Sequence, residues 1–429
     1  MPKSVLVVGG GVAGLQASLD LAEMGFKVYL VEKNPSIGGH MAQLDKTFPT
    51  NDCSMCILGP KMVEVVRHPN IQLLTYSEIV KVSGFAGKFE VKVLKNPRFI
   101  EVEKCTGCGV CTEKCPVKVP NEFDVSMSAR KAIYVPFPQS VPHVSIIDKN
   151  HCLFLKKGIC RICEKFCQAN AINFNQKPEE ITLNVSCIIV STGFELYDPT
   201  PISEYGYKQH KNVITALEFE RLISASGPTA GQLRRPSDGK IPERIVFVQC
   251  VGSRDEKNNP YCCSVCCMFA TKEAMLIKEH YPQSEVYILY TDLRRSGKGG
   301  QEYTNRAKEE YKINYIRSRP SEIIEDPETK NLKVLYNDGN KVKSLEAELV
   351  VLCNTLTPTK EAKKLSEILG IEIDEYGFYK AKDPLQAPVD TNVPGIFVCG
   401  FCKEPSNITE SVFQASAAAS RALELLKGV

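Results

Sequence analysis

Apolar positions come in short runs that alternate with stretches of helical spacing. Ser4–Val8 (SVLVV) is almost wholly apolar and runs straight into glycines, as a buried strand does. From Val12 to about Glu23 the apolar residues recur at the spacing of one helix face, and Lys27–Val31 forms a second strand that ends in Glu32. Further along, Gly87–Leu94 and Ile181–Ser191 read as strands of one sheet, and Arg244–Gln249 (RIVFVQ) as another strand. A helix is predicted from the cysteine-rich segment to about His280, and a long Ala/Ser-rich helix from Glu410 to Leu426. Strands alternating with helices in this way predict an α/β fold. No apolar run reaches 18 residues, so no membrane span is expected. The N-terminus lacks the charged start and cleavage site of a secretion signal, and a cytoplasmic location follows as an expectation.

Composition changes this picture in one respect. A chain of 429 residues suggests roughly three domains. Lys and Arg number 53 against 50 Asp and Glu, a net +3 that leaves no basic footprint for nucleic acid. The 19 cysteines are the anomaly. Cys53 and Cys56 form a pair, eight cysteines lie between Cys105 and Cys167, and five between Cys250 and Cys267, while Cys187, Cys353, Cys399 and Cys402 stand apart. Clustering at short spacings in a chain without a secretion signal points to metal ligation in a reducing compartment.

The first strand, Gly9-x-Gly11-x-x-Gly14, a helix, a second strand and Glu32 form a complete dinucleotide-binding unit. Gly9 permits the tight turn, Gly11 lets backbone approach a pyrophosphate, Gly14 permits close helix packing, and Glu32 can accept a ribose hydroxyl. Val12 and Ala13 at the helix start offer unpaired N–H groups to the phosphates. The continuation Glu32-Lys33-Asn34-Pro35-Ser36-Ile37-Gly38-Gly39-His40-Met41 resembles the two-dinucleotide-domain flavoproteins, and so do Ile188–Gly193, with Thr192 and Gly193 in its turn, and Val393–Gly400. The resemblance implies FAD, with Lys33, Gly39, His40, Met41 and Gly400 among its contacts. Where those flavoproteins carry Asp after the last glycine, this chain has Phe401, so the flavin contact there is expected to be made differently, by backbone amides.

Cys105-x2-Cys108-x2-Cys111-x3-Cys115-Pro116 is the bacterial ferredoxin run in full. Three of its thiolates hold one [4Fe–4S] cubane and the fourth crosses to a second cluster. The matching half is Cys152-x7-Cys160-x2-Cys163-x3-Cys167, with Gln168 in place of the usual proline. One cluster is therefore expected on Cys105, Cys108, Cys111 and Cys167, and the other on Cys152, Cys160, Cys163 and Cys115. Zinc sites more often pair two C-x2-C knuckles than step through four cysteines.

In a relative of thioredoxin reductase, the strand Arg244–Gln249 should lead into a second glycine loop. Instead Cys250-Val251-Gly252-Ser253-Arg254-Asp255 follows, then Pro260-Tyr261-Cys262-Cys263-Ser264-Val265-Cys266-Cys267. A single glycine stands where three are needed, so NAD(P)H binding is not expected here. A redox disulfide among these thiols is the alternative to a cluster. Cys250–Asp255 and the Tyr-Cys-x3-Cys-Cys run resemble the flavin-bearing, A-type subunit of heterodisulfide reductase, as do Asn51–Cys56, Pro120–Asp124 and Lys131–Tyr134. The likeness extends from Val5 to Ala419. It implies a third [4Fe–4S] cluster close to the flavin on Cys250, Cys262, Cys266 and Cys267, with Cys263 an extra thiol left open as a substitute ligand. It also implies that Lys272 is a cation near the flavin's reactive nitrogen, able to stabilise reduced flavin. The plainer alternative is a solvated helix lysine. In the longer members Cys53 and Cys56 resemble half of a cluster site completed by another domain. Here the chain reads as a shortened member of the kind also found in benzoyl-CoA reductase and methylene-tetrahydrofolate reductase complexes, so a partner subunit would complete a fourth cluster. Two ordinary cysteines near the flavin are the alternative.

The expected architecture is thus a two-dinucleotide-binding-domain, thioredoxin-reductase-like flavoprotein with an inserted two-cluster ferredoxin domain. Residues 1–96, 179–198 and 346–429 would form the FAD domain, 97–178 the ferredoxin insert, and 199–345 a second Rossmann-like domain with the Cys-rich loop. The implied role is that of an FAD and iron–sulfur subunit in a multi-subunit anaerobic oxidoreductase, with electron bifurcation between a two-electron donor, ferredoxin and a higher-potential acceptor. A non-bifurcating electron conduit is the alternative, and a self-sufficient NAD(P)H oxidoreductase is disfavoured by the missing glycine loop. The partners implied are other redox subunits, ferredoxin or an equivalent low-potential carrier, and a second copy of the chain.

Overall fold

The computed structural model describes residues 3–428, so the outermost residues of the first and last expected domain ranges fall outside it. The chain divides into two compact units, residues 1–42, 55–194 and 358–429 in the first and residues 43–54 and 195–357 in the second. Among the described residues no helix is long and apolar enough to cross a membrane.

The first unit is built on a five-stranded parallel sheet in the order Ile396–Val398, Cys187–Val190, Ser4–Val8, Lys27–Glu32, Ile71–Thr75. Its central strand is buried on both faces, which is why SVLVV reads as an unbroken apolar run. Val5 and Val7 face a core shared with the helices Val12–Glu23 and Ile408–Lys427, while Leu6 and Val8 face the core beneath an antiparallel sheet. That sheet has three strands, with Lys88–Lys95 between Ser77–Phe85 and Glu179–Val185.

The stretch Ile181–Ser191, expected as part of one sheet with Gly87–Leu94, is two strands. Residues up to Val185 pair antiparallel with Lys88–Lys95, and Cys187–Val190 joins the parallel sheet beside Ser4–Val8. The switch falls at Ser186, whose N–H reaches Ser4 O at 2.8 Å and whose carbonyl accepts from Gly87 N at 2.8 Å. Between the two antiparallel strands lies the cysteine-rich insert, made of the short helices Val110–Lys114, Leu153–Lys157 and Ile162–Phe166 and two small hairpins.

The second unit repeats the plan. Its parallel sheet runs Val213–Thr215, Leu349–Asn354, Arg244–Val251, Glu285–Tyr290, Asn314–Arg317, with an antiparallel sheet of Pro320–Glu325, Leu332–Asp338 and Lys341–Ala347. Residues 43–54, which the expected boundaries place in the FAD domain, go with this unit. Hydrogen bonds hold them there: Arg221 Nη1 donates to Gln43 O at 3.0 Å, Asp45 N to Glu220 at 2.9 Å, Lys272 Nζ to Lys46 O at 3.0 Å, and Tyr303 Oη to Asn51 at 2.6 Å.

Helix and strand meet most closely at the first glycine turn. A Cβ on Gly14 would stand 1.8 Å from Gly9 O and 2.8 Å from Ser191 Oγ. No side-chain rotation relieves a clash with backbone, so Gly14→Ala must push the helix Val12–Glu23 away from the sheet. A loss of about 1–3 kcal/mol in urea unfolding is expected. An unchanged midpoint would show that the helix is not seated on this turn.

Candidate functional site

The glycine turn, the loop after Glu32 and the turn at Thr192 belong to the first unit. Gly9 takes φ +103° and a Cβ there would meet Ser191 O at 2.4 Å, whereas at Gly11 and Gly193 a Cβ would meet nothing within 4 Å. The loop is therefore packed tight on its sheet side and open on the side where a pyrophosphate would sit. Glu32 is buried and clasps the loop, accepting from Gly10 N and Asn34 N at 2.7 Å each. Burial raises its carboxyl above the ordinary range, and the two backbone N–H groups pull against that shift. A carboxylate offers about four lone-pair sites, so two bonds leave it able to accept a ribose hydroxyl.

Thr192 Oγ1 is buried with no hydrogen-bond partner. An orphaned hydroxyl at the turn, together with two open glycines, fits a dinucleotide such as FAD, which would be held by Gly9, Gly11, Val12, Ala13, Gly14, Glu32, Thr192 and Gly193. His40 stacks on Phe194 with centroids 4.6 Å apart, and its Nε2 lies 3.1 Å from Phe194 O. Met41 is buried beside it, and Gly39 is packed against Gly11, where a Cβ would stand 3.1 Å from Gly11 Cα.

Two expected contacts are already engaged. Lys33 pairs with Glu361 at 2.8 Å at the surface, and the Gly400 N–H is taken by Gln414 Oε1 at 2.8 Å. Phe401 is buried against Phe194 and Phe378. The backbone amide of Gly400 therefore does not replace the missing aspartate. Gln414 lies fourteen residues downstream on a helix, with no local signal to mark it.

In the insert, Cys115, Cys152, Cys160 and Cys163 line one pocket together with Ala132, Ile133 and Ile147. Cys115 is the crossing cysteine, the fourth of its own run. The other four, Cys105, Cys108, Cys111 and Cys167, do not share that pocket. Cys105, Cys111 and Cys167 pack in the insert's own core with Phe99, Ile100 and Ala171, a core that Cys115, Cys152 and Cys163 also touch. Cys111 Sγ lies 3.5 Å from Ser145 Oγ, and Cys167 Sγ accepts from Ala171 N at 3.3 Å, while Cys108 is exposed. Sulfur thus completes a small core that apolar side chains alone do not fill. Lys131 and Tyr134 of the Lys131–Tyr134 motif flank this site, Lys131 Nζ donating to Cys115 O at 2.5 Å and Tyr134 lying 3.9 Å beneath the Arg130 guanidinium.

The second unit gathers the other cysteines where the glycine loop would be. Cys250 has φ +59° and lies near the end of the strand Arg244–Val251, while Cys266 and Cys267 open the helix Cys266–His280. The thiols of Cys250, Cys263 and Cys267 each act on the Cys266 thiol, which they and burial raise well above its ordinary range, and all four are buried. Cys262 is half-buried beside them, and its sulfur accepts from Ser264 N at 3.4 Å. The inner group therefore includes Cys263, expected as the extra thiol, and leaves Cys262 at its edge.

The Cys250 thiol is pulled down to about 6, first by the bond from Cys266 and then by Arg319 and Arg254, against the opposing effect of burial. Arg294 N donates to Cys267 Sγ at 3.3 Å. Cations and N–H groups around clustered sulfurs favour thiolates, the form that binds iron. Among the described residues no three Cys, His, Asp or Glu side chains form a single-ion site. Cys53 and Cys56 are both disulfide-bonded, a state in which neither can be a ligand.

Lys272 is not a solvated helix lysine. It is 1% exposed and ion-paired with Glu220, itself 2% exposed. Sequence spacing holds no signal for this partner, which stands 52 residues away on another helix.

Family models for an FAD dependent oxidoreductase, a 4Fe-4S binding domain and a pyridine nucleotide-disulphide oxidoreductase match residues 4–54, 99–121 and 268–422. Thioredoxin reductases of Lactococcus lactis and T. acidophilum share the fold, with TM-scores of 0.55 and 0.53 at 16% and 14% identity, the first covering all of both chains and the second 98% of each. The A-type iron-sulfur subunit of CoB–CoM heterodisulfide reductase from Methanocaldococcus jannaschii is 53% identical over 97% of this chain and 63% of its own length. The corresponding A-type subunit of the H(2):CoB-CoM heterodisulfide,ferredoxin reductase from Methanothermobacter marburgensis is 50% identical over 99% of this chain and 64% of its own. The chain thus spans under two thirds of the length of these curated relatives. At such identity over nearly its whole length, the chain belongs to the family of A-type heterodisulfide reductase subunits.

Proposed function

We propose that the chain is the FAD and iron–sulfur electron-transfer subunit of a multi-subunit oxidoreductase, and that its flavin bifurcates electrons. The observation that carries the electron-transfer role is the meeting of Cys115 with Cys152, Cys160 and Cys163 around one pocket, the cross-over of a two-cluster ferredoxin. Flavin exchanges electrons singly or in pairs and a cubane singly, so the two together can divide a pair. Bifurcation is supported by the name of the M. marburgensis relative, which puts a heterodisulfide and ferredoxin side by side.

On this reading Cys105, Cys108, Cys111 and Cys167 hold one cluster of the insert, and Cys115, Cys152, Cys160 and Cys163 the other. Cys250, Cys266 and Cys267 hold a third, with its fourth thiolate from the Cys262–Cys263 pair. Once reduced, Cys53 and Cys56 supply two thiolates of a fourth cluster that a partner subunit completes. The partners are other redox subunits, a low-potential carrier such as ferredoxin, and a second copy of the chain, assembled in the cytoplasm of an anaerobe. Lys272 serves the flavin as its cation.

Two measurements test the proposal. In anaerobic potentiometric titration of the native complex, the flavin's two one-electron potentials should be crossed, the second step more oxidising than the first. Well-separated potentials in the ordinary order would overturn bifurcation and leave an electron conduit. In the isolated chain, Cys115→Ser should remove one cubane, about four of about twelve Fe, and leave the FAD and the other clusters. Full iron content in that variant would overturn the cross-over assignment.

A further inference from the structure

The central strand of the second unit, Arg244–Val251 (RIVFVQCV), is buried from Ile245 onward, and Gln249 is the one amide side chain within it. A polar group taken out of water and left unpaired costs about 1–3 kcal/mol. The pairing with Leu349–Asn354 shifts register between Val248 and Val251, so Gln249 lies in an irregular stretch of the strand. Irregularities of this kind re-aim side chains. The Gln249 side chain is turned onto the Cys267 sulfur, with Oε1 3.5 Å from Sγ. Gln249 is 2% exposed, and its buried Nε2 makes no hydrogen bond.

Two backbone groups also meet that sulfur. Arg294 N donates to it at 3.3 Å, and Asp292 O lies 3.4 Å away. A thiol has one proton and can donate to only one of the two oxygens, Asp292 O or Gln249 Oε1. The carbonyl is fixed by the backbone, whereas an amide presents either its oxygen or its nitrogen from the same place. Held by iron, the sulfur has no proton and only accepts. An oxygen facing it then gains nothing, while a buried donor stays idle. With the amide turned over, Nε2 donates to the sulfur beside the Arg294 N–H, and the atom left without a partner is an acceptor.

We propose that Gln249 donates from Nε2 to the Cys267 sulfur of the third cluster, and so raises the potential at which that cluster takes an electron. An N–H bond to a ligand sulfur stabilises negative charge, and a cluster gains negative charge on reduction. The bond is therefore stronger to the reduced form. Gln249 acts through Cys267, which makes it a positioning residue. The proposal rests on the reading of Cys267 as an iron ligand, and the experiment separates the two.

The full chain carrying its cofactors is reduced stepwise and followed by EPR. Cys266→Ala together with Cys267→Ala leaves three of the five thiols between Cys250 and Cys267, where a cubane takes four. About four Fe and one EPR signal should be lost, and that signal belongs to the third cluster. Full iron content in the double variant overturns the ligand reading, and the inference with it.

Gln249→Met keeps the length of the side chain and removes the donor. At a given potential its third cluster should show a reduced-to-oxidised ratio about three- to tenfold below wild type, tenfold being about 59 mV for one electron. Iron content and the potentials of the other clusters should stay as they are. An unmoved potential on the third cluster overturns the role of Gln249 and leaves the ligand reading intact. Wild-type protein gives a second readout that needs no variant to fold. With glutamine side chains labelled with nitrogen-15, pulsed EPR of the reduced third cluster should show a nitrogen-15 coupling. A spectrum without it overturns the donation from Nε2.

Discussion

The antiparallel pairing of Lys88–Lys95 with Glu179–Val185 is the constraint on which the first unit depends. Residues 96–178 leave the antiparallel sheet after Lys95 and must return to it at Glu179 without disturbing Ser4–Val8, the strand that ends in the glycine turn. Pairing from Phe89 with Val185 to Lys95 with Glu179 closes that excursion at its base. The entropy of closing a loop grows slowly with its length, so a long insert costs little once its ends are pinned. Ser186 then hands the chain directly to Cys187–Val190, which hydrogen-bonds to Ser4–Val8 and leads into the Thr192 turn. A cysteine-rich insert and a dinucleotide turn are thereby joined by one short stretch of covalent chain, within one unit.

The second unit has the same parallel plan but a different end to its central strand. In the first unit the strand runs into glycines, and the helix N-terminus faces open space at Gly11. In the second, Cys250 takes the left-handed conformation that a glycine would adopt freely, and Ser264 and Arg254 do likewise. Non-glycine residues at positive φ cost energy and persist only where the surroundings fix them. Here Arg319 spans the carbonyls of Cys250 and Ser253, and the buried sulfurs of Cys263, Cys266 and Cys267 gather beside the loop. The loop is shaped to bring thiols together where the first unit shapes its loop to admit a phosphate.

What was legible in the sequence was local. The glycine turn, the ferredoxin spacing and the Cys-rich helix to His280 are read from neighbours along the chain, and the helix ends at His280 as expected. The switch at Ser186 was not, because an apolar run on either side of it carries no mark of which sheet each half will join. Residues 43–54 look like part of the first domain, yet their hydrogen bonds go to Glu220, Arg221, Lys272 and Tyr303, all far along the chain. Buried charge is the hardest to foresee. Glu220, Lys272 and Glu273 have the composition of a solvated helix face, and only the tertiary structure shows that they are interior. Cys262 and Cys263 are adjacent in sequence, so spacing alone does not say which belongs to the inner sulfur group.

Buried ionisable groups in the second unit follow one rule in two places. Among the clustered thiols, Cys266 and the guanidiniums of Arg319 and Arg254 pull the Cys250 thiol down against the effect of burial, while burial and the neighbouring thiols raise Cys266. Around Lys272, which pairs with Glu220, burial and the charge of Glu220 hold the Glu273 carboxyl well above its ordinary range. In both, desolvation makes unmatched charge costly. The strand Leu349–Asn354 places Cys353 within electrostatic reach of both groups, of Glu273 on one side and of Cys250, Cys263 and Cys267 on the other.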